Sequence, residues 1–482
     1  MLRCLLMIAC LTFPACGARP ALIPPGESTA RDGWWVDGAG REAGDGSRER
    51  PFGSLAEALE RVGPRGPSLR VHLAPGRYEG PFELPAGLEL VGEGAVLHGE
   101  GARPVVRAAE GALLRGLELQ GGGWGLEAAG EVRLESVHFS GQATGAVRMG
   151  AGRLVVVGGG FEAGAAGAVG VQLEEGAYAE VREAAFTGAF RRGVEAKGAV
   201  VELESVRFQG TMTAVHQARG RVRLRHVVVR GGPEVGLFVQ RGTLLLEDVT
   251  VTGHEYGLQG LEATVEGRGF TSVRASRAGV ALIGSRGTLE ETVVLGSGGF
   301  GALSLVGSEL VLRGVRVDGA DAYGIAATRG RLRLERVVIT RLTTREGDSG
   351  DGLHLRDTEV EVEGLVVRGV AGAGVLAAQG SRVVLRDVSL ESCKEAGVWA
   401  ETLAKVTATG LEVRGSGGPA LVALEDGVMR VDALTARDNA AGLVMADCQG
   451  TTGVQLGHVV GQGPAQDAAG SGAAACVVTD SP

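Results

Sequence analysis

The sequence predicts an all-β solenoid: a parallel β-helix of about 15 coils of about 22 residues each, with three short strands per coil and an N-terminal capping helix. Three observations predict this fold class. A small residue recurs about every 22 residues, apolar residues alternate within each repeat as they do in strands, and 83 glycines accompany only 4% aromatic residues. That glycine content is too high for a helical protein, and it lacks the period of collagen.

The recurring small residue sets the register of the coils. No single coil can bury its own apolar row, so coils about 4.8 Å apart must supply each other's core. We call these positions the register residues; they are Gly125, Gly145, Gly170, Gly193, Ala214, Gly236, Gly257, Gly279, Gly301, Gly324, Gly352, Gly374, Gly397, Ala420 and Gly442.

Each repeat contains three short apolar alternations. In the segment 221–240, Val222 and Leu224 alternate, two residues intervene, and Val227 and Val229 alternate again. The intervening pair resets the alternation and indicates a corner between two strands. A third strand follows Gly236, and glycine is expected at corners that require positive φ.

The first residues predict export rather than folded structure. Arg3 precedes the apolar run "CLLMIACLTF", and small residues follow it, which is typical of a signal peptide. The segment "FPAC", ending at Cys16, resembles a bacterial lipobox, and this resemblance implies lipidation of Cys16; a plain secretory signal is the alternative. In lipoproteins that this chain resembles, Gly17 after the cysteine favours the outer membrane or the cell surface. We expect a signal peptide at 1–15 and a tether at 16–33.

Residues 34–101 are predicted to form the N-terminal cap and the first coils. Ser54 and Glu57 form an S-x-x-E capping box before an amphipathic helix that can cover the open first rung. Four motifs in this region resemble the opening of DUF1565-type bacterial proteins: V-D at 36–37, G-D-G-S at 44–47, P-F-x-S-L-x-E-A-L at 51–59 and L-x-P-G-x-Y at 73–78.

With the three-strand repeat, the chain resembles right-handed parallel β-helix proteins of the pectate-lyase type. A leucine-rich repeat would need a recurring Asn or Cys, which is missing. The resemblance implies a right-handed coil and a lateral groove that holds polysaccharide. We expect the β-helix to span 102–460, and a Gly/Ala-rich tail to occupy 461–482.

The cysteines agree with export. Cys393, Cys448 and Cys476 remain after the signal peptide, with no C-x-x-C spacing that would indicate zinc. A disulfide between Cys448 and Cys476 and a buried thiol at each position are both open at this stage.

Function must be sought down columns of stacked coils. One predicted outward column carries mixed charges, which favours exposed ion-pair ladders; it contains Glu135, Glu204, Arg225, Glu247, Arg313, Glu335, Glu363 and Arg386.

A second predicted outward column lies two residues after the register residue. It is largely apolar, and Phe238 and Trp399 are candidates to stack on sugar rings; contact with the tail or another chain is the alternative. The column contains His216, Phe238, Gln259, Ala281, Leu303, Ala326, His354, Leu376, Trp399, Val422 and Val444.

The longest repeat, between Gly324 and Gly352, predicts a projecting loop. It brings carboxylates near His354 and Arg356, with a predicted aromatic row of Tyr256, Phe300 and Tyr323 beside Asp351. The candidate catalytic residues are Asp351, His354 and Arg356. The candidate substrate-binding residues are Phe238, Tyr323, Trp399 and Glu401. Asp348 and Asp351 are weak candidates for metal ligands. A solvated loop without function is the alternative.

The leading hypothesis is an exported, lipid-anchored, non-catalytic β-helix protein that binds glycan or another envelope component. A polysaccharide lyase or glycoside hydrolase with a lateral groove is the alternative. The motifs of polygalacturonases and pectate lyases and the H-E-x-x-H pattern are missing. A net charge of −9, with both signs spread along the chain, argues against nucleic acid as a partner. The sequence indicates no cofactor.

Overall fold

A computed structural model describes residues 33–39, 44–62, 69–344, 349–461, 465–467 and 475–479. In these residues the chain forms a parallel β-solenoid of about 18 turns, which confirms the predicted fold class. The solenoid has more turns than the predicted 15 because strands between Arg70 and Gly121 already form coils before the first register residue. No helix among the described residues is long and apolar enough to cross a membrane.

The structure contains one helix, α1 (Leu55–Val62), within the described residues, and 44 short strands. The first strands are β1 (Trp34–Val36), β2 (Arg70–Leu73), β3 (Gly76–Glu79), β4 (Phe82–Leu84), β5 (Glu89–Gly99), β6 (Val106–Ala108), β7 (Ala112–Gly121), β8 (Trp124–Glu135), β9 (His138–Ser140), β10 (Gly145–Val157), β11 (Gly160–Glu162), β12 (Val169–Leu173), β13 (Ala177–Arg182), β14 (Ala185–Thr187) and β15 (Arg192–Lys197). The middle strands are β16 (Val200–Glu204), β17 (Arg207–Gln209), β18 (Thr213–Ala218), β19 (Arg221–Arg225), β20 (Val228–Arg230), β21 (Val235–Gln240), β22 (Thr243–Thr252), β23 (Tyr256–Leu261), β24 (Thr264–Ala275), β25 (Ala278–Ile283), β26 (Arg286–Glu290), β27 (Val293–Ser297), β28 (Leu303–Val306), β29 (Glu309–Arg313) and β30 (Arg316–Ala320). The last strands are β31 (Ile325–Thr328), β32 (Arg331–Thr340), β33 (Leu353–Arg356), β34 (Glu359–Val370), β35 (Val375–Ala378), β36 (Arg382–Cys393), β37 (Val398–Ala400), β38 (Lys405–Arg414), β39 (Leu421–Ala423), β40 (Val428–Arg437), β41 (Val444–Ala446), β42 (Gly453–Gly461), β43 (Ala465–Asp467) and β44 (Val477–Thr479).

The strands form three parallel faces, which we call sheets A, B and C. In the coil of residues 221–240, β19 lies in sheet A, β20 in sheet B and β21 in sheet C. Long strands such as β22 pass through the corner and pair in both A and B. Each coil aligns with the coils before and after it, so Val222 lies beside Val201 and Leu244.

The predicted inward rows form a continuous apolar core along the solenoid. Val222, Leu224, Val227 and Val229 are fully buried, as are Leu237 and Val239 on the third strand. The inward column of sheet B has four stacked phenylalanine rings after its first three coils and continues with smaller side chains; it contains Tyr78, Leu97, Leu119, Phe139, Phe161, Phe186, Phe208, Val229, Val251, Ser272, Val294, Val317, Ile339, Val367, Leu390, Val413 and Ala436.

The register glycines are required by close packing. A Cβ atom on Gly236 would lie 2.3 Å from Cγ1 of Val251, and one on Gly193 would lie 2.6 Å from the Phe208 ring. The facing side chain in sheet B fills the space that a larger register residue would need. The small register residue therefore leaves room for the facing side chain in the narrow interior of each coil.

The corners between sheets A and B differ from the expectation of glycine. Most coils have a residue with positive φ there, and many of these residues carry side chains, such as Ser205 (56°), Asp248 (52°) and Arg336 (54°). Positive φ strains an L-residue. Parallel pairing with the coils above and below holds the corner in place, so glycine is not needed at every coil.

Both ends of the solenoid carry additional elements. At the N-terminus the Glu57 N–H donates to Ser54 Oγ (3.2 Å), which confirms the predicted helix start, and α1 packs on β1 and β4. At the C-terminus Cys448 and Cys476 form a disulfide, so this open alternative is settled, while Cys393 is a buried free thiol.

Candidate functional site

The outer face of sheet C carries the predicted candidate side chains. Its first outward column, which we call the C column, runs the length of the solenoid. The C column contains Glu83, Arg107, Glu127, Arg148, Gln172, Glu195, His216, Phe238, Gln259, Ala281, Ser304, Ala326, His354, Leu376, Trp399, Val422 and Met445.

Two members of the predicted column are wrong. Leu303 and Val444 are fully buried in the core, and Ser304 and Met445 take the outward places. The cause is a one-residue slip, since a shift of one exchanges the two faces of a strand. Ala302 rather than Gly301 aligns with Gly324, so Phe300 also falls one place short of the row that holds Tyr323 and Asp351.

The N-terminal part of the C column is a charged ladder. Arg107 forms ion pairs with Glu83 (3.4 Å) and Glu127 (3.3 Å), and Arg148 lies 3.7 Å from Glu127. Further along, Glu195 is buried and contacts Arg191 (3.3 Å) as well as Arg192. Exposed pairs of this kind contribute little stability but keep the surface hydrophilic.

His216 and Phe238 end the charged ladder. Their rings stack with centroids 4.8 Å apart. Burial, followed by the nearby Arg192 guanidinium, lowers the pKa of His216 to about 4. The imidazole is therefore neutral at physiological pH and presents a flat, uncharged ring beside Phe238.

Beyond Phe238 the face loses its charges over several coils. We call the following residues the neutral strip: Gln259, Ala281, Ser304 and Ala326 in the C column, and Leu261, Ile283, Val306 and Thr328 in the second outward column. Ile283 is 47% exposed at one end of its strand. Phe300 is 51% exposed in the turn that leads into the opposite end of the next strand, β28.

The turn side of the neutral strip contains a cation between aromatic rings. The Arg277 guanidinium lies 6.0 Å from the ring centroid of Tyr256 and 5.8 Å from that of Phe300. Arg277 is also paired with Glu255 at 3.4 Å, which offsets its charge. Neither Ile283 nor Arg277 was predicted from the sequence to be a member of this face.

Asp351 and His354 form a buried pair at the C-terminal end of the neutral strip. Asp351 Oδ2 lies 2.7 Å from His354 Nδ1 and accepts a hydrogen bond from the Ser349 hydroxyl, and Oδ1 accepts one from the Ala373 N–H (2.8 Å). The side chains of Asp351 and His354 are 0% and 8% exposed. The Tyr323 ring packs on the imidazole with centroids 4.3 Å apart.

The carboxylate of Asp351 also acts on its neighbours. Burial raises the pKa of the Cys393 thiol to about 12, and the charge of Asp351 adds to the effect. Burial, with Asp351 as the second cause, raises the pKa of Glu395. The surroundings of Asp351 therefore disfavour further negative charge, and its hydrogen bonds hold the corner of the long repeat together.

The other predicted residues of the long repeat do not join this pair. Arg356 is exposed, and among the described residues no ion pair links it to Glu401, which lies half-buried two coils further on. Asp348 lies outside the described residues, as does Cys16. No group of three or more His, Cys, Asp or Glu side chains in the described part of the chain could hold a metal ion.

Trp399 lies near the Asp351–His354 pair on the same face. Leu376 separates it from His354 in the C column, and Trp399 packs on a small cluster of Ala373, Leu376 and Ala378 outside the main core. The Trp399 indole N–H is buried without a hydrogen-bond partner in the structure. Buried donors are normally satisfied, so a partner for this N–H requires a water molecule or a small movement of the ring.

The predicted charged column lies on sheet A and forms the expected ladder. Arg225 bridges Glu204 (3.3 Å) and Glu247 (2.9 Å), and Arg313 bridges Glu290 (3.2 Å) and Glu335 (3.0 Å). Shallow cavities of about 410 and 430 Å³ flank the neighbouring pair of Arg331 and Glu359. These side chains already neutralise each other, so they are weaker candidates for a binding site than the sheet C face.

Comparison with known proteins adds only structural likeness. No family model and no curated protein matches the chain, so the DUF1565-type resemblance rests on its motifs alone. Among solved structures, pectate lyase Pel9A aligns at a TM-score of 0.40 and 13% identity, covering 56% of this chain and 76% of that one. The catalytic domain of a GH87 alpha-1,3-glucanase in complex with tetrasaccharides aligns at 0.29 and 10%, covering 89% and 66%. The PL6 family alginate lyase AlyGC aligns at 0.25 and 9%, covering 85% and 93%. At these scores the likenesses carry no functional argument, and the fold is established by the strand pairing itself.

Proposed function

We propose that this protein is an exported, lipid-anchored β-solenoid that binds glycan on the outer face of sheet C without catalysing its cleavage. The observation that carries the non-catalytic part is the burial of Asp351. Both of its oxygens accept hydrogen bonds, and its side chain has no exposed surface. A general acid or base must come within hydrogen-bond reach of its substrate, and this carboxylate instead stabilises a corner.

The glycan-binding part rests on the aromatic and hydroxyl side chains of the face. Phe238, Phe300 and Trp399 lie on one side of the solenoid, and the neutral strip runs between Phe238 and the Trp399 cluster. Flat rings beside amide and hydroxyl groups suit sugars, which present both apolar C–H faces and hydroxyl groups. The polysaccharide-related names of the aligned structures are compatible with this proposal but do not carry it.

The lipid anchor rests on the N-terminal sequence. We expect acylation at Cys16, and we expect Cys16→Ser to move the protein from the membrane fraction to the soluble exported fraction, because the acyl chains supply the membrane affinity. Metabolic labelling with a fatty acid tests this directly. Cys393→Ser is the matched control, and loss of label in that variant alone would contradict the assignment.

The binding test uses the full-length chain solubilised in detergent and a panel of soluble polysaccharides. We expect Trp399→Ala to weaken binding about tenfold or more, because it removes a stacking ring. Tyr178→Ala on sheet A, which is also half-buried, should bind as wild type does. If no polysaccharide in the panel binds, the proposal is wrong.

The same preparations decide between binding and the alternative of a lyase or hydrolase. Reducing ends and the absorbance of unsaturated products should not increase with time. Turnover that disappears in both Asp351→Ala and His354→Ala, with folding retained, would establish the alternative and make this pair its acid/base group.

A further inference from the structure

The chemistry of the neutral strip indicates what kind of glycan the face can accept. From Phe238 to His354 the C column crosses five steps of about 4.8 Å, roughly 24 Å, and it carries no charged side chain between them. The second outward column is likewise uncharged from Leu261 to Thr328. This contrasts with the first coils, where acidic and basic residues alternate along the same column.

We infer that the ligand of this face is a neutral polysaccharide, an inference that rests on the proposed glycan-binding function. Carboxylate, sulfate and phosphate groups are recognised by Arg and Lys through charge-assisted hydrogen bonds. Arg277, on the turn side of the strip, is paired with Glu255 (3.4 Å), and Arg356 lies just beyond the C-terminal end of the strip, beside Thr328 in the second outward column. Between Leu261 and Thr328, an acidic chain laid on the strip would lose the hydration of its charges without gaining a cationic partner from the strip itself, which is costly.

The strip offers groups that suit hydroxyl-bearing rings. Ala281 and Ala326 leave the floor low, while Gln259, Ser304 and Thr328 present an amide and two hydroxyl groups. Ile283 and Phe300 rise from opposite ends of neighbouring strands, with exposed apolar surfaces. The strip therefore combines uncharged apolar surface, on which C–H faces can pack, with amide and hydroxyl groups to which ring hydroxyls can hydrogen-bond.

The test compares neutral and acidic versions of the same backbone. Affinity gel electrophoresis of the full-length chain in detergent would use hydroxyethyl cellulose against carboxymethyl cellulose, and carboxyl-reduced polygalacturonate against polygalacturonate, beside neutral mannans, xylans and galactans. We expect retardation by at least one neutral polymer and none by the acidic ones, with little change between low and high ionic strength.

A variant pair locates the site. Ser304→Asp places a charge on the floor of the strip and should weaken binding of the retarding neutral polymer about tenfold or more. Thr250→Asp is the matched control, since Thr250 is half-buried and outward on sheet B between uncharged neighbours Val228 and Thr271; it should change binding by less than about twofold. Circular dichroism of both variants checks that the solenoid is intact.

Three results would overturn the inference, and they differ in what they leave standing. Retardation by acidic polymers that is lost in Trp399→Ala keeps the glycan-binding proposal but refutes a neutral ligand. Binding of a neutral polymer that survives Ser304→Asp places the site elsewhere. Retardation by no polymer at all refutes the proposed function together with this inference.

Discussion

The N-terminal and C-terminal halves of the solenoid share the same sheets and register but differ in the chemistry of two columns. Inside sheet B, the column contains the stacked rings of Phe139, Phe161, Phe186 and Phe208 and then continues with smaller, mostly aliphatic side chains from Val229. Outside sheet C, charges alternate from Glu83 to Arg148, Gln172 interrupts them, and Glu195 is the last charged residue before His216 and Phe238. Both changes fall within two coils of each other.

The difference between the two halves indicates which positions of the repeat are constrained by the fold. Pairing between coils requires small register residues and apolar inward residues, and it accepts rings or aliphatic chains alike. The outward positions are free of that requirement, so they can carry an ion-pair ladder in one half and an uncharged strip in the other. Function is therefore expected where the outward pattern departs from mixed charge.

The largest expected effect concerns the inner column. Phe186→Ala should lower the free energy of unfolding of its coils by about 3–5 kcal/mol, because it empties the middle of the ring stack, whereas Ile339→Val in the other half should cost about 0.5–1.5 kcal/mol. Hydrogen exchange of β14 and β32, the strands that contain the two substitutions, measures the two changes locally, since coils interact mainly with their neighbours. An equal loss of unfolding free energy in the two variants would show that the ring stack stabilises its coils no more than the aliphatic residues stabilise theirs.

Most of the fold could be predicted from the sequence because its causes are local and repeated. The apolar alternation of Val222, Leu224, Val227 and Val229 determines strands and corner together, and the Ser54 hydroxyl determines the helix start. The slip at Gly301 arose where two small residues, Gly301 and Ala302, follow each other, and either can be read as the register residue. Only the pairing of Leu303 with Ile325 distinguishes them.

The candidate site was less predictable because it depends on contacts between coils. The sequence predicts that Asp351 and His354 lie together, but it places the carboxylate beside a projecting loop. The Ala373 N–H that satisfies Asp351 comes from the next coil, so burial could not be inferred from the local sequence. Arg277 and Ile283 were not predicted because neither departs from the pattern of its own repeat. Their role becomes visible only from their positions beside Phe300 and the neutral strip.

The smallest expected effect concerns His216, at the boundary between the charged ladder and Phe238. Its folded-state pKa of about 4 lies below the usual value near 6.5, so the unfolded chain binds more protons between these values. His216 therefore lowers the free energy of unfolding as the pH falls from about 6.5 to about 4, and it has little effect on the slope above that range. The wild-type midpoint in urea should fall over this interval by more than the midpoint of His216→Gln, while His138→Gln, which removes an exposed histidine, should match wild type. Identical slopes for wild type and His216→Gln would mean that the imidazole is as well solvated in the folded coil as in the unfolded chain, and the boundary would then lie beyond His216.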